Sequence, residues 1–435
     1  MPISRRKFVR TGALAAVGLG GLTLGGGAVA ATSRRRAGIS GPSPAAAASA
    51  AAWNGKTVVV VNLFGGNDGL NTVVPLQAAQ YNKYRTLRPT LRYDLPQLLT
   101  LNGQPDFGLN PAMTGFQGLF NQGKLAILNG VSVPDSAVGL FDHDTGQYEF
   151  QSCDLYRSVT SAPSGWLGRY LDTITPGQVS PGIDLGGGRL MLTGNTSAPV
   201  SINSVNNFKL QVSQYDTTKR RAAYGTAMAI PSTGGGAAEL NRLYRQDALT
   251  QSNVILAATA SYVPTVAYPQ THLGDRLEEC AKIIYGGVGA IALAVGVGGF
   301  DTHADQNRMN NGNPGDHEQL LAEVSDAVTT FYTDLVNLGL SSNVLILTIS
   351  EFGRRAYENG DKGTDHGLAA CAFAVGDDVN GGIYGLYPDL NNLVLNGNLG
   401  QTTDFRSVYA TVIGNYLNSD PVPVLGGSFP TITFI

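Results

Sequence analysis

The sequence predicts an α/β protein with a doubly wound, mainly parallel sheet and an irregular insertion or cap in its middle. Five apolar runs lack polar alternation, as expected of strands that are buried on both faces of a parallel sheet. Segments with helical periodicity lie between these runs, which favours alternating strands and helices. The 435 residues, of which 43% are hydrophobic and 14% charged, are enough for one large domain of this class.

The predicted strands are short and rich in β-branched residues. They cover residues 57–63, 124–128, 290–297, 344–349 and 372–375.

Two predicted helices connect these strands. Apolar residues recur at three- and four-residue spacing over residues 316–338, and Gly339 is expected to end that helix. A second helix is expected over 275–285, leading into the strand at 290. The segment from about 176 to 270 is less regular, so we interpret it as an insertion or cap on the sheet.

The N-terminus has the features of an export signal. Residues 4–10 read SRRKFVR, as in twin-arginine signals, and a glycine-rich, mildly apolar stretch follows at 11–31. The run Ala28-Val29-Ala30 is typical of a cleavage site, and an uncleaved anchor is the alternative. We therefore predict export to the periplasm or the extracellular space. The predicted organisation is a signal peptide over 1–31, a linker over 32–52 and a single domain over 53–435.

Charge and cysteine content exclude some classes of function. The net charge is −3, but seven of the 29 basic residues lie in the first 36 residues, which contain no acid. The rest of the chain has 22 basic against 32 acidic residues, which argues against nucleic acid as a partner. The three cysteines, Cys153, Cys280 and Cys371, show no CxxC spacing, so a zinc knuckle is not supported, and Cys280 and Cys371 are expected to be buried.

Acidic and histidine side chains follow or precede the predicted strands. Three of the five histidines lie in these segments, and ligands of open α/β sheets bind beyond the carboxyl ends of the strands. Imidazole and carboxylate groups together suit a divalent metal such as Zn, Mn, Mg or Ca. The segments are 64–71 with Asp68, 141–147 with His143 and Thr145, 299–303 with Asp301 and His303, 350–354 with Glu351 and Arg354, and 363–367 with Asp365 and His366.

Each segment also has a purely structural interpretation. The GGNDG run at 65–69 fits a tight turn, Glu351 and Arg354 fit an ion pair, and Asp365 with His366 fits a hydrogen-bonded pair. The run at 301–303 fits a helix cap with a surface histidine, and the run at 142–144 fits a polar loop. The remaining histidines, His272 and His317, are expected at the surface or at helix caps, with His317 the nearer of the two to the site.

Several motifs resemble those of the DUF1501 family. They are VVVNLFGGNDGLNTVVP at 59–75, GFDTHADQ at 299–306, SEFGRR at 350–355, ENG at 358–360, GTDHG at 363–367 and GGIYG at 381–385. The resemblance covers about residues 57–417 and implies an alkaline phosphatase-like fold, shared with sulfatases and phosphatases. By that analogy the metal ligands would be Asp68, Asp301, His303, Glu351 and His366, with Asp365 beside the last histidine in the catalytic group.

The sequence departs from the enzymes of that fold in two ways. It has no Cys-x-Pro-x-Arg motif, so formylglycine chemistry is not expected. It has Glu351-Phe352 where phosphatases often have an Asp-His pair, which removes one ligand that His143 would replace. Thr145 is the candidate nucleophile, and Arg354 the group that would neutralise charge on the substrate.

Two functions remain open. The first is an exported, metal-dependent hydrolase of phosphate or sulfate esters, acting on a small-molecule or polymer substrate. The alternative is a non-catalytic exported protein on the same fold that binds an envelope polymer or a partner protein. A dinucleotide-binding oxidoreductase is less favoured, because GGNDG is not G-x-G-x-x-G and its aspartate would repel a pyrophosphate.

Overall fold

The structure is a computed structural model that describes residues 55–134, 141–155, 163–174, 181–210, 217–232, 236–307 and 315–435. By its internal contacts the chain divides into two units, residues 1–40 and 41–435, and all of the described residues belong to the second. The predicted signal peptide and linker lie outside the described residues.

The strands are numbered β1 to β14 in chain order. They are β1 Thr57–Leu63, β2 Val73–Pro75, β3 Leu99–Thr100, β4 Phe107–Leu109, β5 Leu125–Ser132, β6 Gly182–Asp184, β7 Val200–Ser201, β8 Ala292–Val297, β9 Val344–Ile349, β10 Gly353–Arg354, β11 His366–Gly367, β12 Ala370–Val375, β13 Gly382–Tyr384 and β14 Thr403–Asp404.

The α-helices are numbered α1 to α11. They are α1 Gly69–Thr72, α2 Ala78–Leu87, α3 Thr114–Asn121, α4 His143–Ser152, α5 Trp166–Leu171, α6 Thr217–Ala229, α7 Gly236–Ala258, α8 His272–Tyr285, α9 Asp316–Asn337, α10 Phe405–Thr411 and α11 Val422–Leu425. No helix among the described residues combines the length and the apolar character that a membrane crossing requires.

A nine-stranded sheet forms the centre of the molecule. Its strand order is β13-β5-β12-β9-β1-β8-β6-β7, and β14 also pairs with β5. β1 runs parallel to both β8 and β9, and β12 alone runs against its neighbours β5 and β9. The predicted α/β fold with a mainly parallel sheet is therefore confirmed.

Alternate residues of β1 point to the two faces of the sheet, because side chains along a strand alternate in direction. Val59 and Val61 join a core with α3, α8 and α9 on one face, through residues such as Phe116, Leu277 and Phe331. Val58 and Val60 join a second core with α5 and α10, which includes the stacked rings of Trp166 and Tyr409. Both faces are thus covered, which explains why the strand sequences lack polar alternation.

The predicted helices are present with small shifts in their ends. α9 begins at Asp316 as predicted and ends at Asn337, and Gly339 follows with φ of 70°. α8 begins at His272, three residues earlier than predicted, because the Thr271 hydroxyl accepts a hydrogen bond from the backbone of Gly274. The three cysteines are buried free thiols, as was expected of Cys280 and Cys371.

The segment expected to be an insertion or cap contributes to the sheet. β6 and β7 extend the sheet beside β8, with Ile183 opposite both Leu293 and Val200. The helices α6 and α7 of the same segment pack against each other as a hairpin, and α6 has no buried residue among those described.

Candidate metal centre

The loops at the carboxyl ends of β1, β8 and β9 meet at one rim of the sheet. Gly65, in the loop after β1, has φ of 120°, and a Cβ atom there would lie 2.3 Å from the backbone nitrogen of Asp301. Only glycine therefore allows the β1 loop to lie this close to the β8 loop. The close approach brings Glu351, at the end of β9, within hydrogen-bonding distance of the Gly65 N–H, at 2.7 Å.

The fourth helix adds a histidine to this rim. The sequence DHDTGQYEF, which follows the second predicted strand, forms the start of α4. The Asp142 side chain caps this helix by accepting from the backbone of Thr145 at 2.8 Å. His143 is the first residue of the helix. Its Nδ1 lies 3.0 Å from Oε1 of Glu351.

Three imidazoles converge on one carboxylate oxygen. Oδ1 of Asp301 lies 2.9 Å from Nε2 of His303, 2.9 Å from Nε2 of His366 and 3.6 Å from Nε2 of His143. The rings of His143 and His366 are also in contact, with centroids 4.5 Å apart. Ligand atoms of His143, Asp301 and His366 all lie within 4.8 Å of one another, so these three groups could hold one ion.

The hydrogen-bond partners of the Nδ1 atoms determine the tautomers of His143 and His366. Nδ1 of His366 lies 2.8 Å from the carbonyl oxygen of Phe141, which can only accept, so this nitrogen carries the proton. Nδ1 of His143 donates in the same way to Glu351. In the neutral rings, Nε2 of both residues therefore presents a lone pair to Asp301 Oδ1.

Lone pairs that face a carboxylate oxygen repel it unless a cation lies between them. The pattern of an Nδ1–H bonded to a carboxylate or a carbonyl, with Nε2 left as the ligand, is the usual arrangement of metal-bound histidine. The donor set of His143, Asp301 and His366 therefore fits a divalent metal with nitrogen and oxygen ligands.

Asp301 is ionised at neutral pH. Burial raises the pKa of its carboxyl, but the hydrogen bond from Arg354, the contact with the His366 ring and the charge of Arg354 outweigh this and hold the pKa well below its usual range. The side chain is 46% exposed, so the cluster lies at the surface of the protein.

Arg354 fixes Asp301 in place. The guanidinium is fully buried and its Nη2 donates to Asp301 Oδ1 at 2.6 Å. The guanidinium also donates to backbone carbonyl oxygens in the loops around the site, which are those of Gly65, Gly66, Phe300 and Thr364. Arg354 was predicted to neutralise a substrate anion, but its hydrogen bonds are internal, so its observed role is to position Asp301 and join the loops.

Glu351 was predicted to be a metal ligand, but in the structure it contacts the Nδ1 atom of His143, on the side of the ring away from Asp301. Its carboxylate is buried, and its Oε1 accepts from both the Gly65 N–H and the His143 Nδ1–H. Glu351 therefore orients His143 and does not face the common centre.

Asp68 was predicted to be the first metal ligand, but the structure does not bring it into the cluster. Its carboxylate is fully buried, with Oδ2 2.6 Å from Nη1 of Arg88 and Oδ1 3.0 Å from Nη2, and Gln306 also donates to it. Although burial raises the pKa of Asp68, the charge of Arg88 lowers it further, so the pair is ionised. Asp68 thus forms a buried ion pair next to the site.

The other predicted site residues lie at its edge. The His303 ring is nearly half exposed, and its Nδ1 is 3.5 Å from Oδ1 of Asp365, a long contact. Thr145 lies two residues after His143 on α4, so the two side chains leave the helix in different directions, and Thr145 is not directed at the centre as a nucleophile would be.

His317 differs from its expected surface position. It is fully buried in α9, its Nε2 lies 2.9 Å from Oδ1 of Asn67, and its ring meets the edge of Phe300. Burial lowers its pKa to about 4, so the ring is neutral at neutral pH. No sequence pattern indicated Arg88, which lies outside the motifs. Gln306 and Phe141 lie in the segments 299–306 and 141–147, but their bonds to Asp68 and His366 could not be inferred from those segments.

A family model described as "Protein of unknown function (DUF1501)" matches residues 149–408, more than half of the chain. Asp301, His303, Glu351 and His366 lie within the matched residues, and His143 precedes them. No curated protein matches the sequence.

Several solved structures show a distant likeness. Ps i-CgsB in complex with k-i-k-neocarrahexaose has a TM-score of 0.37 and 8% identity, covering 86% of this chain and 73% of that one. PsFucS1 sulfatase from Pseudoalteromonas sp. has a TM-score of 0.37 and 12% identity, covering 88% and 71%. The lipoteichoic acid synthase LtaP from Listeria monocytogenes has a TM-score of 0.32 and 9% identity, covering 86% and 74%. At TM-scores this low, the likeness assigns no activity to the present chain.

Proposed function

The chain belongs to the DUF1501 family, and we propose that it is an exported hydrolase that binds a divalent metal between His143, Asp301 and His366 and cleaves phosphate or sulfate esters. The observation that carries the proposal is the convergence of imidazole Nε2 atoms on Asp301 Oδ1, at 2.9 Å for His366 and 3.6 Å for His143. Because the Nδ1 atoms of both rings donate elsewhere, a cation at this centre would relieve the repulsion between the lone pairs and the carboxylate.

The donor types favour some metals over others. Two imidazole nitrogens and one carboxylate suit zinc, manganese or iron, whereas calcium and magnesium prefer sites built from oxygen atoms alone. We therefore propose zinc, manganese or iron, and not the magnesium or calcium that the sequence also allowed.

The openness of the centre supports catalysis. Structural zinc sites are closed by four protein ligands, whereas catalytic sites keep a position for water or substrate. The side chains of His143, Asp301 and His366 are 31%, 46% and 22% exposed, so an ester could reach the centre from solvent. A bound divalent metal would supply polarisation of the ester oxygen and a lower pKa for an attacking water.

Three residues of the chain prepare this chemistry. Arg354 holds the Asp301 carboxylate, and Glu351 holds His143 in the tautomer with an open Nε2. His303 is exposed and near Asp365, so we propose that it carries the proton to the leaving oxygen, as an imidazole does well near neutral pH. Within the described part of the chain, the imidazoles of His143, His303 and His366 contact carboxylates and one backbone carbonyl. Because none of these contacts is with Thr145, we propose a water as the attacking group.

One observation favours the non-catalytic alternative. Asp301 Oδ1 is already bonded to Arg354 at 2.6 Å, so the cluster is partly satisfied by internal contacts. A protein that only binds an envelope polymer or a partner could retain such a network with a structural metal. The two functions differ in a measurable way, because the alternative predicts metal binding without ester hydrolysis.

The test combines metal loading with hydrolysis. The full chain is stripped of metal, reloaded with zinc or manganese, and assayed with p-nitrophenyl phosphate and p-nitrophenyl sulfate. We expect hydrolysis that depends on metal and that His366→Ala or Asp301→Ala lowers at least about 100-fold, the effect of losing a ligand. His272→Ala is the matched control, since His272 is an exposed histidine at the start of α8.

Metal-loaded protein that hydrolyses neither ester would support the alternative. Protein that binds no metal, or activity that both ligand variants retain, would contradict the proposed centre itself.

Export is the second part of the proposal, and it rests on the SRRKFVR sequence at residues 4–10. We expect that replacing both Arg5 and Arg6 by lysine leaves the protein in the cytoplasm. Equal amounts of wild type and double variant in the exported fraction would contradict a twin-arginine route.

A further inference from the structure

A narrow cleft opens beside the candidate metal centre, between α4 and the carboxyl ends of β1 and β9. Glu351, which orients His143, lines this cleft. Gln147 and Gln151 of α4 also line it, together with Asn62 near the end of β1. The cleft therefore adjoins the metal centre on the side of α4.

The two glutamines continue the line of His143 along α4. Gln147 follows His143 by four residues and Gln151 follows it by eight, so the three side chains lie on the same face of the helix. One turn of an α-helix rises by about 5.4 Å, roughly the width of a sugar ring. A group attached to an ester at the metal centre would therefore reach Gln147 first and Gln151 next.

The amide groups in the cleft use only part of their hydrogen-bonding capacity. The Oε1 atom of Gln151 accepts from the Met191 N–H at 3.2 Å, and the Nδ2 atom of Asn62 donates to the Gly187 carbonyl oxygen. Within the described parts of the chain, the Nε2 atom of Gln151, the Oδ1 atom of Asn62 and the whole Gln147 amide have no partner. These atoms are in contact with solvent, so a ligand can reach them.

We propose that this cleft binds the alcohol part of the ester substrate, and that this part carries free hydroxyl groups, as in a sugar or another polyol. A carboxamide both donates and accepts hydrogen bonds, and so does a hydroxyl, so the two groups match in more than one orientation. The half-buried Phe64 ring also lines the cleft and would cover an apolar face of such a substrate. The proposal rests on the proposed hydrolase function, because it concerns the substrate of the same centre.

Two other kinds of substituent fit the cleft less well. An acyl chain would leave the amides without partners, which costs free energy once water is excluded. A second anionic group would lie near the Glu351 carboxylate, and none of the described residues that line the cleft is basic. Because the cleft is narrow, a sugar ring would lie across its mouth with its hydroxyls directed inward.

The test compares anions that differ in whether they carry hydroxyl groups. Isothermal titration calorimetry of the metal-loaded full chain measures its affinity for the 6-sulfonates and 6-phosphonates of 6-deoxyglucose and 6-deoxygalactose. Ethanesulfonate and ethylphosphonate have the same charged groups without hydroxyls. In all of these compounds a carbon–sulfur or carbon–phosphorus bond replaces the ester bond, so the measurement does not depend on hydrolysis.

The variant Gln147→Ala removes the amide nearest to the centre. Gln122→Ala is the matched control, because Gln122 is an exposed glutamine ahead of β5 and does not line the cleft. We expect at least one sugar derivative to bind wild type about 10-fold more tightly than its ethyl counterpart, as two hydrogen bonds to the cleft would provide. Gln147→Ala should lose most of this difference, with unchanged metal content and unchanged affinity for the ethyl compounds, and Gln122→Ala should match wild type.

Equal affinity of wild type for every sugar derivative and its ethyl counterpart would overturn the proposal. So would a preference for the sugar derivatives that Gln147→Ala retains in full. Protein that binds neither metal nor the ethyl compounds would instead contradict the proposed metal centre, so the two failures are distinguishable.

Discussion

The Oε1 atom of Glu351 lies 3.0 Å from the Nδ1 atom of His143, and this contact determines which ring nitrogen faces Asp301. Because Glu351 is buried and also accepts from Gly65, its position is set by the ends of two adjacent strands. The site therefore depends on a residue that does not itself contact the proposed metal.

The replacement Glu351→Gln tests this dependence. The amide can retain the hydrogen bond from Gly65, but it no longer stabilises the His143 tautomer through a charge. We expect metal affinity to fall by about 10- to 100-fold, as is typical when the partner of a ligating histidine is changed. Competition with a chelating dye measures the affinity.

Glu358→Gln is the control for the lost charge, since Glu358 caps the backbone of Thr90 and Leu91. Equal metal affinity in the Glu351 variant and the wild type would show that Glu351 does not support the site.

The Asp68–Arg88 ion pair is expected to act on stability and not on metal binding. Both side chains are fully buried, so Asp68→Asn leaves a guanidinium charge without its partner. Breaking such a pair typically costs about 3–5 kcal/mol in the free energy of unfolding. Denaturant titration measures this loss, and metal analysis of the same sample should show unchanged metal content.

If Asp68→Asn instead keeps normal stability but loses metal, Asp68 is a metal ligand.

Lowering the pH should destabilise the protein, as the Asp68→Asn substitution does. The pKa of Asp68 is lower in the folded state than its usual value near 3.8, so its contribution is present at neutral pH and is lost as the pH falls through the folded-state value.

His317 is expected to make the protein less stable in mild acid. Burial lowers its pKa to about 4, although the charge of Asp68 opposes this, while an unfolded histidine titrates near 6.5. Between these values the unfolded state binds a proton and the folded state does not. The free energy of unfolding should therefore fall by roughly 3 kcal/mol as the pH drops from about 6.5 to about 4.

Denaturant titration of wild type and His317→Gln across this range checks the expectation. The glutamine can still bond to Asn67 but does not titrate, so the variant should show a shallower pH dependence. His272→Gln should behave as wild type because His272 is exposed. If the free energy of unfolding of His317→Gln depends on pH as steeply as that of wild type, other groups cause the acid sensitivity.

Much of the fold could be predicted from local sequence patterns. A strand such as β9 is buried on both faces, and its six residues, five of them apolar, have the predicted limits. α9 was predicted to within a residue, because its buried side chains recur at the helical period. The short strands β6 and β7 were not predicted, because two or three residues show no periodicity.

The candidate site was predicted only in part. Histidines at strand ends could be found by position, and the structure brings three of them together around Asp301. Which carboxylates face the centre could not be read from the sequence. Asp68 is turned away by Arg88, 20 residues further along the chain, and Glu351 by His143, 208 residues before it. Such distant pairs are set by tertiary packing and leave no local pattern.

The most direct test of the account is anomalous scattering from crystals of the metal-loaded protein. We expect one peak at the zinc or manganese edge, about 2.0–2.2 Å from Nε2 of His143, from Nε2 of His366 and from a carboxylate oxygen of Asp301. A peak elsewhere in the molecule, or no peak at this cluster in protein shown to contain metal, would contradict the central claim that these three residues form a metal centre.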